Sequence, residues 1–132
     1  MDRCSLNLSG ERTKNKRSHV VPLAPTALAL LDRWPRSGEM VFKFAAWGYS
    51  KALLDERSGV RGWVLHDIRR TVATGMADIG IQPHIIEAVL NHVSGHKGGI
   101  AGIYNRAQYA SEKAQALARW DEHLVERSRG GH

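Results

Sequence analysis

The sequence predicts a mainly α-helical fold with one small β-hairpin near its beginning. Apolar residues recur at helical spacing in several segments that begin at proline or stop at glycine. Two short β-prone runs flank a polar, basic stretch, as the strands of a hairpin do. The chain has 132 residues and is 42% hydrophobic, which is enough for one domain with a modest core. We therefore expect residues 1–132 to form a single domain, with the hairpin over residues 3–23 and a helical part over residues 24–127.

The predicted hairpin begins with residues 5–8, which alternate polar and apolar side chains as a half-buried strand does. Residues 20–23 form the second β-prone run. Between the two runs, residues 9–19 are rich in charge and turn formers and include the basic sequence KNKR at 14–17. A basic hairpin tip is expected there.

The first helix is predicted to begin at Pro25 and to end before Pro35, because proline disfavours a helical predecessor. Its apolar face consists of Ala27, Leu28, Leu30 and Leu31. Residues 40–44 form a short apolar run that predicts an extended segment. Ser50 is a candidate N-cap for a second helix that ends near Arg57, and residues 58–62 are expected to form a loop.

Residues 66–79 predict a third helix, since Ile68, Val72, Met76 and Ile79 follow helical spacing and Gly80 can end it. A fourth helix is predicted from Pro83 to Leu90. Its buried residues would be Ile85, Ile86, Val89 and Leu90. Residues 91–102 contain four glycines and predict a mobile loop. The last helix is expected over residues 108–125, with an apolar stripe of Ala110, Ala114, Leu117 and Leu124.

The charge of the chain favours a polyanionic partner. Nineteen Lys and Arg residues against thirteen Asp and Glu residues give a net charge of +6, and the pI is about 9.9. Nucleic acid is the most common partner of so basic a small domain. No apolar run is long enough to cross a membrane, and no secretory signal is visible, so we expect no membrane partner. A single cysteine excludes an internal disulfide and fits a reducing cytoplasm.

Five residues with complementary chemistry stand at the edges of the predicted elements. They are Lys14 at the hairpin tip, His66 and Arg69 on the third helix, His92 after the fourth helix and Tyr104 beyond the glycine-rich segment. Arginine binds two phosphate oxygens at once, histidine can donate to them, and lysine can protonate a departing alkoxide. A phenol can attack phosphorus when cations offset its pKa of about 10. The set therefore suits covalent phosphoryl transfer without a metal.

Four sequence motifs in this order resemble those of the tyrosine recombinases, or phage integrases, and best those of the prophage P4 type. Residues 63–71 (WVLHDIRRT) resemble the His-x-x-Arg box, and residues 90–92 (LNH) resemble the Leu-Gly-His box. Residues 103–106 (IYNR) resemble the nucleophile segment. Residues 11–17 (ERTKNKR), running into 21–23 (VPL), resemble the hairpin that carries the lysine of the family. The resemblance covers about residues 11–125, nearly the whole chain.

The resemblance implies the fold of the DNA breaking-rejoining enzymes, a role for each motif residue and no cofactor. Tyr104 would attack the scissile phosphate and form a 3′-phosphotyrosyl bond. Arg69 and His92 would bind the non-bridging oxygens, His66 would accept a proton or bind phosphate, and Lys14 would be the general acid. The implied DNA-binding residues are Arg12, Lys16, Arg17, Arg70 and Arg106.

The resemblance also implies the partners and the setting of the chain. Double-stranded DNA would be the substrate, and full-length relatives act as tetramers on it. The protein would be cytoplasmic, bacterial or phage-encoded, and associated with the nucleoid.

A small and a serious departure from the family pattern stand out. Asn91 stands where many members have glycine. A second arginine is expected before the hairpin in a Gly-x-Arg-x-x-Glu setting, and it is not found. Arg12 does not supply it, because Arg12 lies only two residues before Lys14 and so belongs to the hairpin itself. The chain is therefore expected to be the C-terminal part of a catalytic domain that is incomplete at its N-terminus, and to be inactive alone.

Several alternatives stay open at the level of sequence. Tyr109 and Tyr49 are rival nucleophiles, and Lys16 is a rival to Lys14. His92 and His96 are four residues apart, but no third ligand accompanies them, so no metal site is expected. The alternative functions are a catalytically inactive DNA-binding remnant of a prophage integrase, a type IB topoisomerase-like activity, and a helical protein-interaction module.

Overall fold

The computed structural model describes residues 5–43, 46–92 and 100–131, and over residues 100–108 it describes the backbone alone. The described part is mainly helical with one antiparallel hairpin, which confirms the predicted helical architecture and its small hairpin. The elements are β1 (Ser5–Leu8), β2 (His19–Pro22), α1 (Pro25–Arg33), α2 (Trp47–Ser58), α3 (Leu65–Asp78), α4 (Pro83–Val89) and α5 (Ile100–Gly130). Residues 93–99 of the predicted glycine-rich loop, residues 3–4 of the predicted hairpin and Phe44 lie outside the described residues.

The hairpin pairs Ser5 with Pro22 and Leu8 with His19, so its long turn occupies residues 9–18. Side chains inside the turn hold its shape. The Thr13 hydroxyl donates to the Arg17 carbonyl at 2.6 Å, and the Arg17 N–H donates to Asn15 Oδ1 at 3.1 Å. A Cβ at Gly10 would lie 2.5 Å from the Lys16 carbonyl oxygen, so the close approach of the two sides of the turn requires glycine.

Helix α1 begins and ends where proline chemistry predicts. Pro25 occupies its first turn, and Trp34, which precedes Pro35, has the extended ψ of 133° that a following proline favours. The N–H of Thr26 in the first turn donates to Asp121 Oδ2 on α5 at 3.3 Å. Asp121 thus satisfies one of the free donors at the start of α1 and ties α1 to α5.

Two predictions between α1 and α3 are wrong. Helix α2 begins at Trp47, and the Ser50 N–H already donates to the Ala46 carbonyl at 3.2 Å, so Ser50 is not its N-cap. The chain bends at Val41, so residues 40–43 are not the continuous extended segment that was predicted. Instead, the Phe42 ring packs edge-on against Trp34 with the ring centroids 5.2 Å apart, which draws this segment toward the end of α1.

The core forms where α3, α4 and α5 meet. Met76 of α3 is fully buried, and it is surrounded by the buried side chains of Ile81, Ile85, Ile86, Val89 and Ala116. Ile85, Ile86 and Val89 are buried as predicted, whereas Leu90 is half-buried. Ile68 is 49% exposed, and the α3 residues that lie in or against the core begin at Val72. Gly80 ends this helix with φ +83°, which glycine adopts without strain.

Helix α5 differs from its prediction in both length and face. It begins at Ile100 rather than near residue 108, so the last glycine of the predicted loop is helical, and it ends at Gly130 rather than near residue 125. The predicted stripe is wrong at Ala110, Ala114 and Leu124, which are exposed. Tyr109 and Trp120 lie three helical turns apart and anchor the helix to the core, so the inward face is shifted by one position. It consists of Tyr109, Lys113, Ala116, Leu117 and Trp120.

Candidate functional site

The site is built around the C-terminal end of α4. The last carbonyls of a helix have no partner inside it. Asn91 turns the chain out of the helix with φ +53°, the left-handed region that favours glycine and, among other residues, asparagine. The conformation explains why asparagine can stand at the position that glycine holds in the family motif.

Arg69 connects α3 to this helix end. Its Nη2 donates to the Leu90 carbonyl at 2.5 Å. The side chain is half-buried, and a guanidinium has five N–H donors, so the bond leaves others for a ligand. The bond thereby joins Arg69 of α3 to the Leu90–Asn91–His92 segment.

The hairpin turn connects to the same helix end through Asn15. Its Nδ2 donates to the Asn91 carbonyl at 3.1 Å, and the Asn91 side-chain amide donates back to Asn15 Oδ1 at 3.3 Å. Lys14, the residue before Asn15, is exposed. The turn that carries Lys14 therefore lies against the segment that carries His92.

The two predicted site histidines are both exposed. His92 follows α4 directly, its N–H donates to the Glu87 carbonyl at 2.9 Å, and its Nδ1 lies 4.0 Å from Glu87 Oε1. His66 lies one helical turn before Arg69, so the two residues share one side of α3. Asp67 caps this helix by accepting the Val64 N–H at 2.9 Å.

Tyr104 and Arg106 lie in the first two turns of α5. Their side chains are outside the described residues, so the position of the phenol relative to Arg69 stays a prediction. The rival Tyr109 packs its ring against the core, with His84 at a centroid distance of 5.4 Å. The other rival, Tyr49, is exposed on α2.

The remaining predicted DNA-binding residues lie on the hairpin turn and on α3. Arg12 and Lys16 are exposed and Arg17 is half-buried. Arg70 is exposed, and its Nη1 lies 3.7 Å from Asp67. Such an exposed pair is weak and is screened by salt, so it leaves Arg70 available to another anion.

Two further basic residues adjoin the site that the sequence analysis did not single out. His19 of β2 places its Nε2 3.1 Å from the Val89 carbonyl oxygen, and Lys113 of α5 donates from Nζ to the Val20 carbonyl at 2.8 Å. Lys113 is only 9% exposed. Its position in the sequence could have revealed Lys113, because it lies at helical spacing between Tyr109, Ala116 and Trp120 on the inward face of α5.

Substitution of Asn91 tests the left-handed turn after α4. Asn91→Gly is expected to lower the free energy of unfolding by no more than about 1 kcal/mol, because glycine accepts this conformation and only the side-chain bond to Asn15 is lost. Asn91→Val should destabilise by at least about 1–2 kcal/mol, since a side chain branched at Cβ is strained there. Urea unfolding of both variants measures the difference. Equal stability of the two variants would show that the position does not require positive φ in solution.

Two kinds of feature are absent from the part of the chain that the structure describes. No three His, Cys, Asp or Glu side chains there lie close enough together to hold a metal ion. His96 is outside this part. Within the same residues, no helix combines the length and the apolar character that a membrane span requires.

Comparison with known proteins identifies relatives of this chain. Prophage integrase IntA of Escherichia coli strain K12 is 32% identical over 130 residues, and prophage integrase IntZ of the same strain is 34% identical over 125 residues. These matches cover 91% and 86% of the chain and confirm its resemblance to the phage integrase family. The chain spans only 31% and 30% of the length of the two relatives. No family model matches the chain, and no solved structure matches it significantly.

Proposed function

We propose that this chain carries the DNA cleavage and rejoining centre of a site-specific recombinase. One observation carries the proposal: the bonds from Arg69 to Leu90 and from Asn15 to Asn91 join three motifs that are far apart in sequence. A phosphate needs ligands from several directions at hydrogen-bond range, and three converging segments can supply them. The relationship to two prophage integrases supports the same function.

In the proposed reaction, the Tyr104 oxygen attacks the scissile phosphorus and the bond to the 5′-oxygen breaks. The phenolic proton passes to His66, and Lys14 gives a proton to the departing 5′-oxygen. The DNA is then held as a 3′-phosphotyrosyl ester. Attack by a 5′-hydroxyl on that ester reverses the steps, reseals the strand and frees Tyr104, so no cofactor is required.

Arg69 and His92 would stabilise the charge on the non-bridging oxygens. An arginine bound to both oxygens is stronger and more directional than a lysine at the same distance. The bond from Arg69 to the Leu90 carbonyl supports this role, because it fixes the direction of the guanidinium before DNA arrives. Such preorganised groups typically contribute a factor of about 100–1,000 to the rate.

The proposal includes a place for the chain within a larger protein. Residues 1–132 would be the C-terminal part of a catalytic domain with the tyrosine recombinase fold, and other protomers would assemble with it on DNA. The match to about a third of each relative supports this placement. A non-cleaving DNA-binding role is the second candidate, since the net charge of +6 and the exposed Lys14 and Lys16 of the hairpin turn favour contact with DNA whether or not a strand is cleaved.

DNA binding is tested by salt dependence. The affinity of the chain for duplex DNA should fall steeply with salt, with a slope of about −0.9 in log K against log[salt] for each phosphate that is neutralised. Lys14→Gln combined with Lys16→Gln should reduce that slope by about 2, because both exposed lysines lie on the proposed DNA face. Fluorescence anisotropy of a labelled duplex measures both quantities.

The matched control removes the same charge far from the proposed face. Arg127→Gln combined with Arg129→Gln changes two exposed arginines in the last turn of α5. It should leave the slope nearly unchanged. Equal slopes for the two double variants would mean that binding follows net charge alone and that the hairpin is not the contact surface.

Cleavage is tested in a chimera in which this chain replaces the matched region of IntA. The substrate is a pool of nicked duplexes with random sequence around the nick, so that the target site need not be known. A covalent protein–DNA adduct on a denaturing gel supports the recombinase function. DNA binding without any adduct would favour the second candidate.

A further inference from the structure

Three successive carbonyls at the end of α4 accept hydrogen bonds from three different elements. The Val89 carbonyl faces His19 of β2 at 3.1 Å, the Leu90 carbonyl accepts from Arg69 of α3, and the Asn91 carbonyl accepts from Asn15 of the hairpin turn. A carbonyl can only accept, so Nε2 of His19 carries a proton and donates it. The helix end that leads into His92 is thus held from three sides.

The strand that carries His19 also contacts α5. The next residue of β2, Val20, accepts a hydrogen bond from the buried Lys113 at 2.8 Å. One short strand therefore binds α4 through a side chain and α5 through a backbone carbonyl. Helix α5 carries Tyr104 nine residues before Lys113, so the same strand contacts both the proposed nucleophile helix and the helix end that leads into His92.

We propose that His19 is a positioning residue of the phosphate site: by holding the Val89 carbonyl, its ring fixes the peptide that carries His92 relative to the hairpin and α5. The inference rests on the proposed function, which identifies this site as the one that binds the scissile phosphate. His19 itself acts through the backbone of α4 and touches no substrate. The Asn15 and Arg69 bonds hold the next two carbonyls, so loss of the His19 bond loosens the helix end without removing it.

The electrostatics of His19 favour its uncharged form. Burial lowers its pKa below the ordinary value of 6.5, the charges of Lys113 on α5 and Arg69 on α3 lower it further, and the bond to Val89 partly opposes them. Burial also lowers the pKa of Lys113. Leu8 of β1 pairs with His19 across the hairpin, and the uncharged Val89 carbonyl of α4 lies beside the ring.

Hydrogen exchange at single amides tests the positioning role without DNA. The His92 N–H, bonded to the Glu87 carbonyl, reports the helix end, and the Ile81 N–H, bonded to the Met76 carbonyl, reports the core. His19→Phe should lower the ratio of His92 protection to Ile81 protection by about three- to tenfold, the worth of one hydrogen bond. His19→Gln should restore the ratio, because its side-chain amide can donate to Val89. An unchanged ratio, or failure of glutamine to restore it, overturns the proposal.

The pH profile distinguishes positioning from packing. The pKa of His19 is lower in the folded chain than in the unfolded chain. The stabilisation that neutral His19 contributes is therefore complete above about pH 6.5, and it is lost as the pH falls through the folded-state pKa. In the native chain, the His92 to Ile81 ratio should therefore fall below about pH 6.5, after correction for intrinsic exchange. His19→Gln should show a flat profile. The same acid limb in both proteins would assign the effect to another group and contradict the proposal.

The adduct assay in the IntA chimera links His19 to the reaction. His19→Phe should reduce adduct formation by about tenfold or more, because misplaced phosphate ligands stabilise the transition state less well, and His19→Gln should retain it. If even the unsubstituted chimera forms no adduct, the recombinase function fails while the exchange ratio still decides whether His19 holds His92. A His19→Phe chimera that forms adduct at the full rate would refute the positioning role.

Discussion

Tyr104→Phe is expected to abolish the covalent protein–DNA adduct in the IntA chimera. Phenylalanine keeps the ring but lacks the oxygen that would attack phosphorus, so no phosphotyrosyl ester can form. The loss should reach the background of the denaturing gel, while DNA binding measured by anisotropy should stay within about twofold, because a neutral phenol contributes little to phosphate binding. Retention of binding with loss of adduct separates chemistry from recognition.

The matched control is Tyr109→Phe, one and a half turns further along α5. Tyr109 packs against the core and lies beside His84, and phenylalanine preserves that packing. The Tyr109→Phe chimera should form the covalent adduct in the same amount as the unsubstituted chimera. Tyr49→Phe on α2 serves as a second control. Adduct that survives in Tyr104→Phe and disappears in Tyr109→Phe would reassign the nucleophile.

The largest effect on stability is expected where α3 crosses α5. A Cβ placed on Gly75 would lie 2.4 Å from two ring atoms of Trp120, a distance at which the indole or one of the two helices must shift. Gly75→Ala should therefore destabilise by roughly 1–3 kcal/mol, despite the better helix propensity of alanine. Trp120→Ala removes a half-buried indole from the same contact and should cost about 3 kcal/mol. Urea unfolding measures both.

The double variant reverses the sign of one effect. Once Trp120 is alanine, Gly75→Ala meets no ring and should stabilise by about 0.5–1 kcal/mol through helix propensity. Gly48→Ala is the matched control in α2, since a Cβ there meets nothing within 4 Å. It should be neutral or slightly stabilising in either background. Stabilisation by Gly75→Ala in the presence of Trp120 would show that the helices do not cross this closely in solution.

The hairpin could be predicted from two β-prone runs around a polar stretch, and several helices could be predicted because proline or glycine marks their ends. Pro25 and Pro83 start α1 and α4, and Gly80 follows α3 with positive φ. The effect of proline or glycine on a helix end depends on the neighbouring residues alone, so it can be predicted from the sequence. The face of α5 could not be predicted in the same way, because several alanines fit either side and only the contacts of Tyr109 and Trp120 decide between them.

The candidate site was predictable as a set of motif residues but not as a geometry. Lys14, Arg69 and His92 followed from the resemblance to the phage integrases. The residues that join their segments, Asn15 and His19, form bonds across 76 and 70 positions of sequence. No periodic pattern encodes such pairs. Lys113 was missed for a related reason, since a lysine on an apolar stripe is ordinarily taken to lie outside it.

The capped end of α4 also affects when the site can form. Helix α4 has seven residues, too few to be stable alone, and its end is completed by bonds to β2, α3 and the hairpin turn. During synthesis, His19 leaves the ribosome 70 residues ahead of Val89, which at about 5–20 residues per second is a delay of about 4–14 s. Until then the hairpin has neither α4 nor α5 to bind. A nascent chain therefore cannot bring the segments of the candidate site together before nearly all of this sequence has been translated.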